Sequence, residues 1–529
     1  MNPAPEILSL DPVPRLLERA RAELSSEFDF ARPMRVSRAP GRLDVMGGIA
    51  DYTGSLVCEM PLDRAAAVLL QERADREVQV FSFNLLDDHQ PFTFRIPLAG
   101  LARASVDQIR KELDRPGRKW AGYLVGCLLL LHEQKLIDLN DAKIRGMNLA
   151  LLSTVPLGAG VSSSAAIEVA TMMNLIDHFQ IARSALPLPP GEGWGEEAID
   201  SRGVSDDENA LTLTLSRGER EPQLDPMRVS AMCQQVENRV VGAPCGIMDQ
   251  VTSCAGVEGS LLRLLCQPHE LQAPLRFPDG IRAVGINSNV KHSVGGGQYG
   301  RTRCAAFMGH AMILAKMREM GAAGGKSLDR DPMNGYLANL DPNEYKMYFR
   351  SYLPEFMSGK DFLQRFGKTI DTATSVNPDE TYPVQHAVDH HVLEAMRVRN
   401  FVEFLESACG LAPGPERDKL LNKAGHLMYA SHLSYTNDAM LGAEECDVLV
   451  ELVKQNERAG GMYGAKITGG GSGGTVAILC RTGKPTDDAI QRIMAEYEKR
   501  TGRKPEVFVG SSPGAWAAGT AVCPPRQAA

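Results

Sequence analysis

The chain has 529 residues, 43% hydrophobic and 23% charged. That balance excludes a mostly disordered chain, a collagen-like repeat and a small disulfide-stapled scaffold, and the length predicts two or three domains or one two-lobed enzyme. A net charge of −8, from 57 basic and 65 acidic residues, leaves no basic field for nucleic acid or an anionic membrane.

Residues 1–33 read as a lead-in with an amphipathic helix carrying Leu16, Leu17 and Leu24. The first 20 residues lack the basic start and apolar core of a signal peptide. From Arg35 onward, strand-like runs at 66–71 and 78–83 alternate with turn clusters. The longest apolar run, 121–131, is 11 residues long, short of the ~20 that span a bilayer. With Trp120 and His132 at its ends, it predicts a buried helix. A strand over 147–153, a Gly/Ser turn and a helix over 163–179 follow.

Residues 184–222 break this pattern with nine acids, three arginines and nine prolines or glycines in 39 residues. They read as a disordered acidic surface insertion without chemistry of its own. Beyond it come a helix over 225–241, strands at 260–265 and 283–287, and a mainly helical region over 301–440. Helices are clearest there at 303–317, 386–407 and 418–434. A closing unit places strands at 475–480 and 506–509 around a helix at 486–501. Eleven cysteines contain no CxxC pair, so they read as buried thiols of a reducing, cytoplasmic compartment. His386, His390 and His391 have no further ligands at metal spacing and read as helix-face histidines.

Glycine loops let a backbone approach a phosphate. A Walker A motif is missing, since the first glycine required before Gly324-Gly325-Lys326-Ser327 would fall at Met320. Two GxGxxG matches, Gly469/Gly471/Gly474 and Gly295/Gly297/Gly300, open no βαβ unit with an acid about 20 residues onward. Residues 155–166 (VPLGAGVSSSAA) are more specific. There, glycines and three serines stand between a strand and a helix start whose amides attract anions. A plain helix cap at Ser162 explains one serine, not three with the glycines.

Four stretches in order, 41–55, 156–165, 245–250 and 469–474, resemble the motifs of the GHMP-superfamily kinases, galactokinase branch. These motifs are GRxNxxGEHxDYxGG, PxGxGLSSSA, CGIMDQ and GGGFGG, and CGIMDQ is matched identically. Residues 287–299 resemble the strand and loop over the sugar. Where galactokinases carry Glu-His, this chain carries Gly48-Ile49, and Ser472 replaces the last motif's phenylalanine. With Leu353-Pro354-Glu355, Gly359-Lys360 and 510–514, these departures resemble the kinase module of L-arabinokinases. The plant enzymes also carry an N-terminal glycosyltransferase-like region, for which this chain leaves no room.

The resemblance implies an α+β, two-lobed fold: a mixed α/β domain over 34–255, a ferredoxin-like domain over 256–520 and a tail at 521–529. It implies an ATP- and Mg²⁺-dependent sugar 1-kinase, a monomer or homodimer, acting on L-arabinose with D-galactose as runner-up. A sugar sensor without turnover is the alternative from another class. Asp249 would be the base at the anomeric hydroxyl and Arg42 its ionic partner. Pro156, Gly158, Gly160, Ser162, Ser163, Ser164 and Ala165 would wrap ATP, and Ser164 with Glu237 would hold Mg²⁺. Gly48, Ile49, Asp51, Gly246, Tyr299, Gly470 and Gly471 would surround the sugar. Trp120 and Phe83 would either flank the adenine or belong to the core. L-Arabinose has galactose's hydroxyl arrangement without the C6 hydroxymethyl, so exchanging Glu-His for Gly-Ile removes polar groups that a pentose would leave unpaired.

Overall fold

A computed structural model describes residues 10–184, 223–291, 297–324 and 327–524. Its spine is the pairing of β1 (Met34–Met46) with β2 (Leu56–Glu72), two long strands buried along most of their length. β2 is long enough to serve three neighbours. Its central part, 58–70, pairs β1, its second half pairs β5 (Met147–Ser153), and its start pairs β6 (Ser260–Leu265). β3 (Glu77–Ser82) joins β5 in parallel, β4 (Thr93–Pro97) flanks β3, and β7 (Glu270–Arg276) pairs β6. The outer neighbour of β1 is β14 (Thr520–Cys523).

Alternation along these strands separates two faces. Ala67, Leu69, Ala150 and Leu152 pack on Leu16 and Ala20 of α1 (Pro12–Glu23), which Asp11 caps by accepting from the Val13 amide at 3.1 Å. Val68, Leu70, Leu149 and Leu151 face the main core instead. That core is covered by α2 (Gly122–Glu133), apolar all round as a buried helix should be, and by α3 (Ser163–His178), α4 (Pro226–Gln235) and α5 (Met248–Ala255).

The second sheet orders β11 (Met462–Ile467), β12 (Thr475–Arg481), β8 (Ile281–Asn287) and β13 (Glu506–Phe508), all antiparallel. Between β8 and β11 run α6 (Gly297–Ala323), α7 (Val384–Cys409), α8 (Pro415–Asn437) and α9 (Glu444–Gln455), with a small pair β9 (Met357–Ser358) and β10 (Thr381–Tyr382). α10 (Lys484–Thr501) connects β12 to β13, giving the βαββαβ order of a ferredoxin-like unit. No helix among the described residues is long and apolar enough to cross a membrane.

The strands expected at 147–153 and 260–265 appear with those bounds. The helix expected over 225–241 is α4 followed by a π-helical turn, Val236–Val241. β6 and β7, which follow residue 255, pair within the first sheet, and β14 returns to it after residue 519. The stretch read as an acidic insertion lies, from 185 to 222, outside the described residues. Its flanks meet: the Ser184 amide donates to Leu224 O and the Leu224 amide to Ala182 O, each at 2.8 Å.

Candidate active site

Where the two sheets approach, a cleft of about 300 Å³ opens between the 155–164 turn, the start of α5 and the 48–53 turn. The side formed by the 155–164 turn is made of backbone. Gly158, Gly160 and Ser162 all adopt left-handed conformations, with φ of 72°, 69° and 62°. The Ser162 hydroxyl makes no capping bond and is buried without a partner. The plain-cap reading of Ser162 therefore does not hold, and no side chain caps the orphan amides at the start of α3. The 468–474 turn lies against this loop, with Thr475 Oγ1 donating to Ala159 O at 2.8 Å. Glycine is required at 474 because a Cβ there, at φ 82°, would stand 2.6 Å from Ala159 O.

Across the cleft, the Arg42 Nε donates to Asp249 Oδ1 at 2.8 Å, and its Nη1 to Gly160 O at 2.5 Å. One arginine thus ties the glycine turn to the first turn of α5. Arg42 is 3% exposed, whereas the Asp249 side chain keeps 20% and faces the opening. Burial opposes the Arg42 charge, but Asp249, Glu59 and Asp44 surround it and hold it protonated. Glu59 lies 3.3 Å from Arg42 with no hydrogen-bond partner on either oxygen. Burial, with Asp44 nearby, pushes its carboxyl well above the ordinary range.

Asp44 is fully used. Oδ1 accepts from the Gly48 amide at 3.0 Å, and Oδ2 from the Gly469 amide at 3.0 Å and Lys466 Nζ at 2.5 Å. Both side chains of the Asp44–Lys466 pair are fully buried, so this pair rivets β1 to β11.

Glu237 projects from the π-helical turn into the cleft, 5% exposed rather than on an open helix face. Burial pushes its carboxyl up to about 7, against hydrogen bonds from Ser164, Cys245 and Gln250, with Asp249 adding to the rise. Gln250 Nε2 also donates to the buried Glu168, at 3.1 Å. Here the Glu237 carboxyl and the Ser164 hydroxyl meet at the 155–164 turn, and no ion pair to Glu237 is found among the described residues.

The opposite end is built of side chains. The Asp51 carboxylate fills the space where Gly246 would carry a Cβ, so only glycine fits at 246. Burial and Asp249 push Asp51 up to about 7, while Arg303 and Arg42 pull it down. Arg303 is gripped by Asp371 at 2.8 and 2.9 Å, donates to Cys245 O at 3.2 Å, and lies 4.9 Å from the Tyr52 ring centroid. His391 sits 3.1 Å from both the Tyr52 and Thr53 hydroxyls, and burial drops it to about 3, so it is neutral. Tyr299 lines the pocket edge-on to Tyr52.

The model described as GHMP kinases N terminal domain matches residues 122–190, and that described as GHMP kinases C terminal matches 417–501. The chain belongs to the GHMP kinases. This GHMP kinase is 34% identical to the L-arabinokinase of Arabidopsis thaliana, an alignment covering 94% of this chain and 47% of the relative. The chain thus spans about half the length of that relative. It is 28% identical to the galactokinase of Chloroflexus aggregans, covering 89% of this chain and 90% of that one. The crystal structure of Lactococcus lactis galactokinase complexed with galactose shares the fold. Its TM-score is 0.63 at 19% identity, over 96% of this chain and 99% of that one.

Of the residues expected at the site of this GHMP kinase, Arg42, Ile49, Asp51, Pro156, Gly158, Gly160, Ser162, Ser163, Ser164, Glu237, Gly246, Asp249, Tyr299 and Gly470 line one cleft. Three do not. Gly48 turns towards Tyr435, Gly471 packs on Leu441, and Ala165 lies buried inside α3. Phe83 packs in the α1 core, and Trp120 donates its indole N–H to Gly117 O at 3.0 Å, so neither lines the cleft, whereas Lys119 and Tyr123 do. His390 and His391 lie on α7, on a buried face that packs behind the 48–53 turn. Asp44, Glu59, Arg303, Asp371, Tyr435 and Lys466 were not singled out beforehand. Only Asp44 and Lys466 carried a signal, through their positions inside or beside glycine motifs.

Proposed function

We propose that this GHMP kinase is an ATP-dependent sugar 1-kinase, moving the γ-phosphoryl group of ATP to the anomeric hydroxyl of a monosaccharide, with L-arabinose preferred. The observation that carries the reading is the Arg42–Asp249 ion pair at 2.8 Å, set between a backbone-built anion site and the Asp51–Gly246 corner. Phosphoryl transfer needs positioning and charge neutralisation more than covalent chemistry.

The amides of 156–165 would cradle the triphosphate. Ser164 and Glu237 offer hard oxygen donors for Mg²⁺, which keeps waters and phosphates as its other ligands. Among the described residues no cluster of three His, Cys, Asp or Glu side chains is placed to hold a metal, and a cation shared with nucleotide phosphates needs none. The uncompensated burial of Glu237 fits such a cation. When bound, Mg²⁺ supplies charge neutralisation at the phosphates.

Asp249 would accept or orient the anomeric hydroxyl proton, and Arg42 would keep Asp249 ionised while stabilising the transferred charge. Asp51 would accept from ring hydroxyls. Ile49 gives the far end of the pocket an apolar wall, where a missing hydroxymethyl leaves nothing unpaired. A hydroxyl-binding site would lose about 1–3 kcal/mol there. The similarity to a protein named L-arabinokinase supports the same sugar.

The test is ADP release with Mg·ATP across L-arabinose, D-galactose, D-galacturonate, D-glucuronate, L-fucose and mevalonate. L-Arabinose should lead in kcat/KM. A lead for D-galactose would transfer the assignment to galactokinase. Nucleotide binding with silence on every substrate would favour a sensor.

A further inference from the structure

The 47–51 corner differs from the galactokinase pattern in a way that side-chain loss alone does not describe. Gly48 has φ +44°, and a Cβ on it would fall on the Tyr435 hydroxyl, 2.9 Å from Cζ and 3.1 Å from Asp44 Oδ2. A side chain at 48 would therefore point into the protein, not into the cleft, and its space is already filled. Tyr435 comes from α8, nearly 400 residues later, and is fully buried. Its hydroxyl accepts from the Ile49 amide at 3.0 Å and donates to Gly469 O at 2.7 Å.

The ring is held as tightly as the hydroxyl. Lys466 Nζ lies 5.2 Å from its centroid, His390 meets it edge-on at 5.0 Å, and a Cβ at Gly471 would stand 3.0 Å from Cδ1. One phenol thus fixes the backbone that presents Ile49 to the pocket and joins it to the 468–474 turn.

We infer that Tyr435 is a specificity-determining positioning residue. By locking the Gly48 corner it keeps Ile49 advanced against the sugar, so that a pentose is accepted and a hydroxymethyl-bearing hexose is excluded. This rests on the sugar-kinase reading above. It also implies that Gly48→Glu alone cannot restore a polar contact to the sugar, because the phenol stands in its way.

The experiment measures kcat/KM for L-arabinose and D-galactose, and KM for ATP, in wild type, Tyr435→Phe, Gly48→Ala and the double variant. Tyr435→Phe should narrow the arabinose-to-galactose ratio by about fivefold or more, through sugar KM, with KM for ATP unchanged. Gly48→Ala should raise sugar KM about tenfold, and the Phe background should relieve about threefold of that loss. A purely structural role would move both KM values together and leave the ratio alone. An unchanged ratio in folded Tyr435→Phe overturns the inference while leaving the kinase reading intact. Wild type silent on every sugar overturns that reading and the inference with it. Should Tyr435→Phe not fold, Gly48→Ala displaces the same hydroxyl from the other side, and an unchanged ratio there is equally decisive.

Discussion

The two ends of the cleft are made by different means. The end proposed to hold phosphate is a short local segment whose groups are main-chain amides, shaped by left-handed residues at the alternate positions 158, 160 and 162. The end proposed to hold the sugar is lined by side chains of the 48–53 turn and by Tyr299, with residues of α6, α7, α8 and β11 behind them. A triphosphate is the same object for every kinase, so backbone suffices to hold it. Telling one sugar from another needs shape, and in the proposed reading the buried residues behind the 48–53 turn supply it.

Four experiments probe this contrast. Asp249→Ala removes the one carboxylate shared by both ends. Its kcat should fall by about 10²–10⁴-fold while titration with ATP shows affinity nearly unchanged. Full activity would end the assignment. Lys466→Met removes the cation of the rivet behind the proposed sugar end and leaves the buried Asp44 carboxylate without its ion-pair partner. Denaturant unfolding should show a loss of about 3–5 kcal/mol, whereas Ser162→Ala at the phosphate end, where the hydroxyl has no partner, should cost less than about 1 kcal/mol.

The third experiment separates the ends by pH. Asp51 and Glu237 both titrate near 7 from the raised side, so sugar kcat/KM should rise with pH through that region as each becomes ionised. Removing the Arg303 charge takes away a group that pulls Asp51 down. Arg303→Met should therefore move the sugar limb upward by about half a pH unit or more, and Arg303→Lys should restore it. Raising Mg²⁺ should instead shift the Glu237 limb downward. The smallest effect is expected for the stretch between Ser184 and Leu224. Replacing 185–222 by a short glycine-serine linker should leave kcat/KM unchanged and Tm within about 2 °C, because Ser184 and Leu224 are already paired.

The same contrast explains what the sequence could reveal. The 155–166 turn was legible because left-handed backbone demands glycine or a small polar residue at fixed spacing, and that demand is local. The strands at 147–153 and 260–265 were legible for the same reason. Asp249 and Glu237 came with their motifs, although nothing in 225–241 announced the π-helical turn that aims Glu237. Tyr435 and Arg303 were invisible because they act on Ile49 and Tyr52 across hundreds of residues, and Asp371 because it acts through Arg303, 68 positions away; each looks, locally, like an ordinary helix or loop residue. Gly48 shows the limit best: the missing side chain could be read, but not the phenol occupying its place.

Residues 34–37 and 520–523 are partners across 483 or more positions, since β14 closes the outer edge of the first sheet at β1. On the ribosome, the lobe that is made first is thus the one completed last. Until residue 523 emerges, β1 offers an unpaired edge to any other extended chain. A truncation ending near residue 515 would retain every cleft-lining residue described here, yet its fate would be settled by aggregation during synthesis rather than by catalysis.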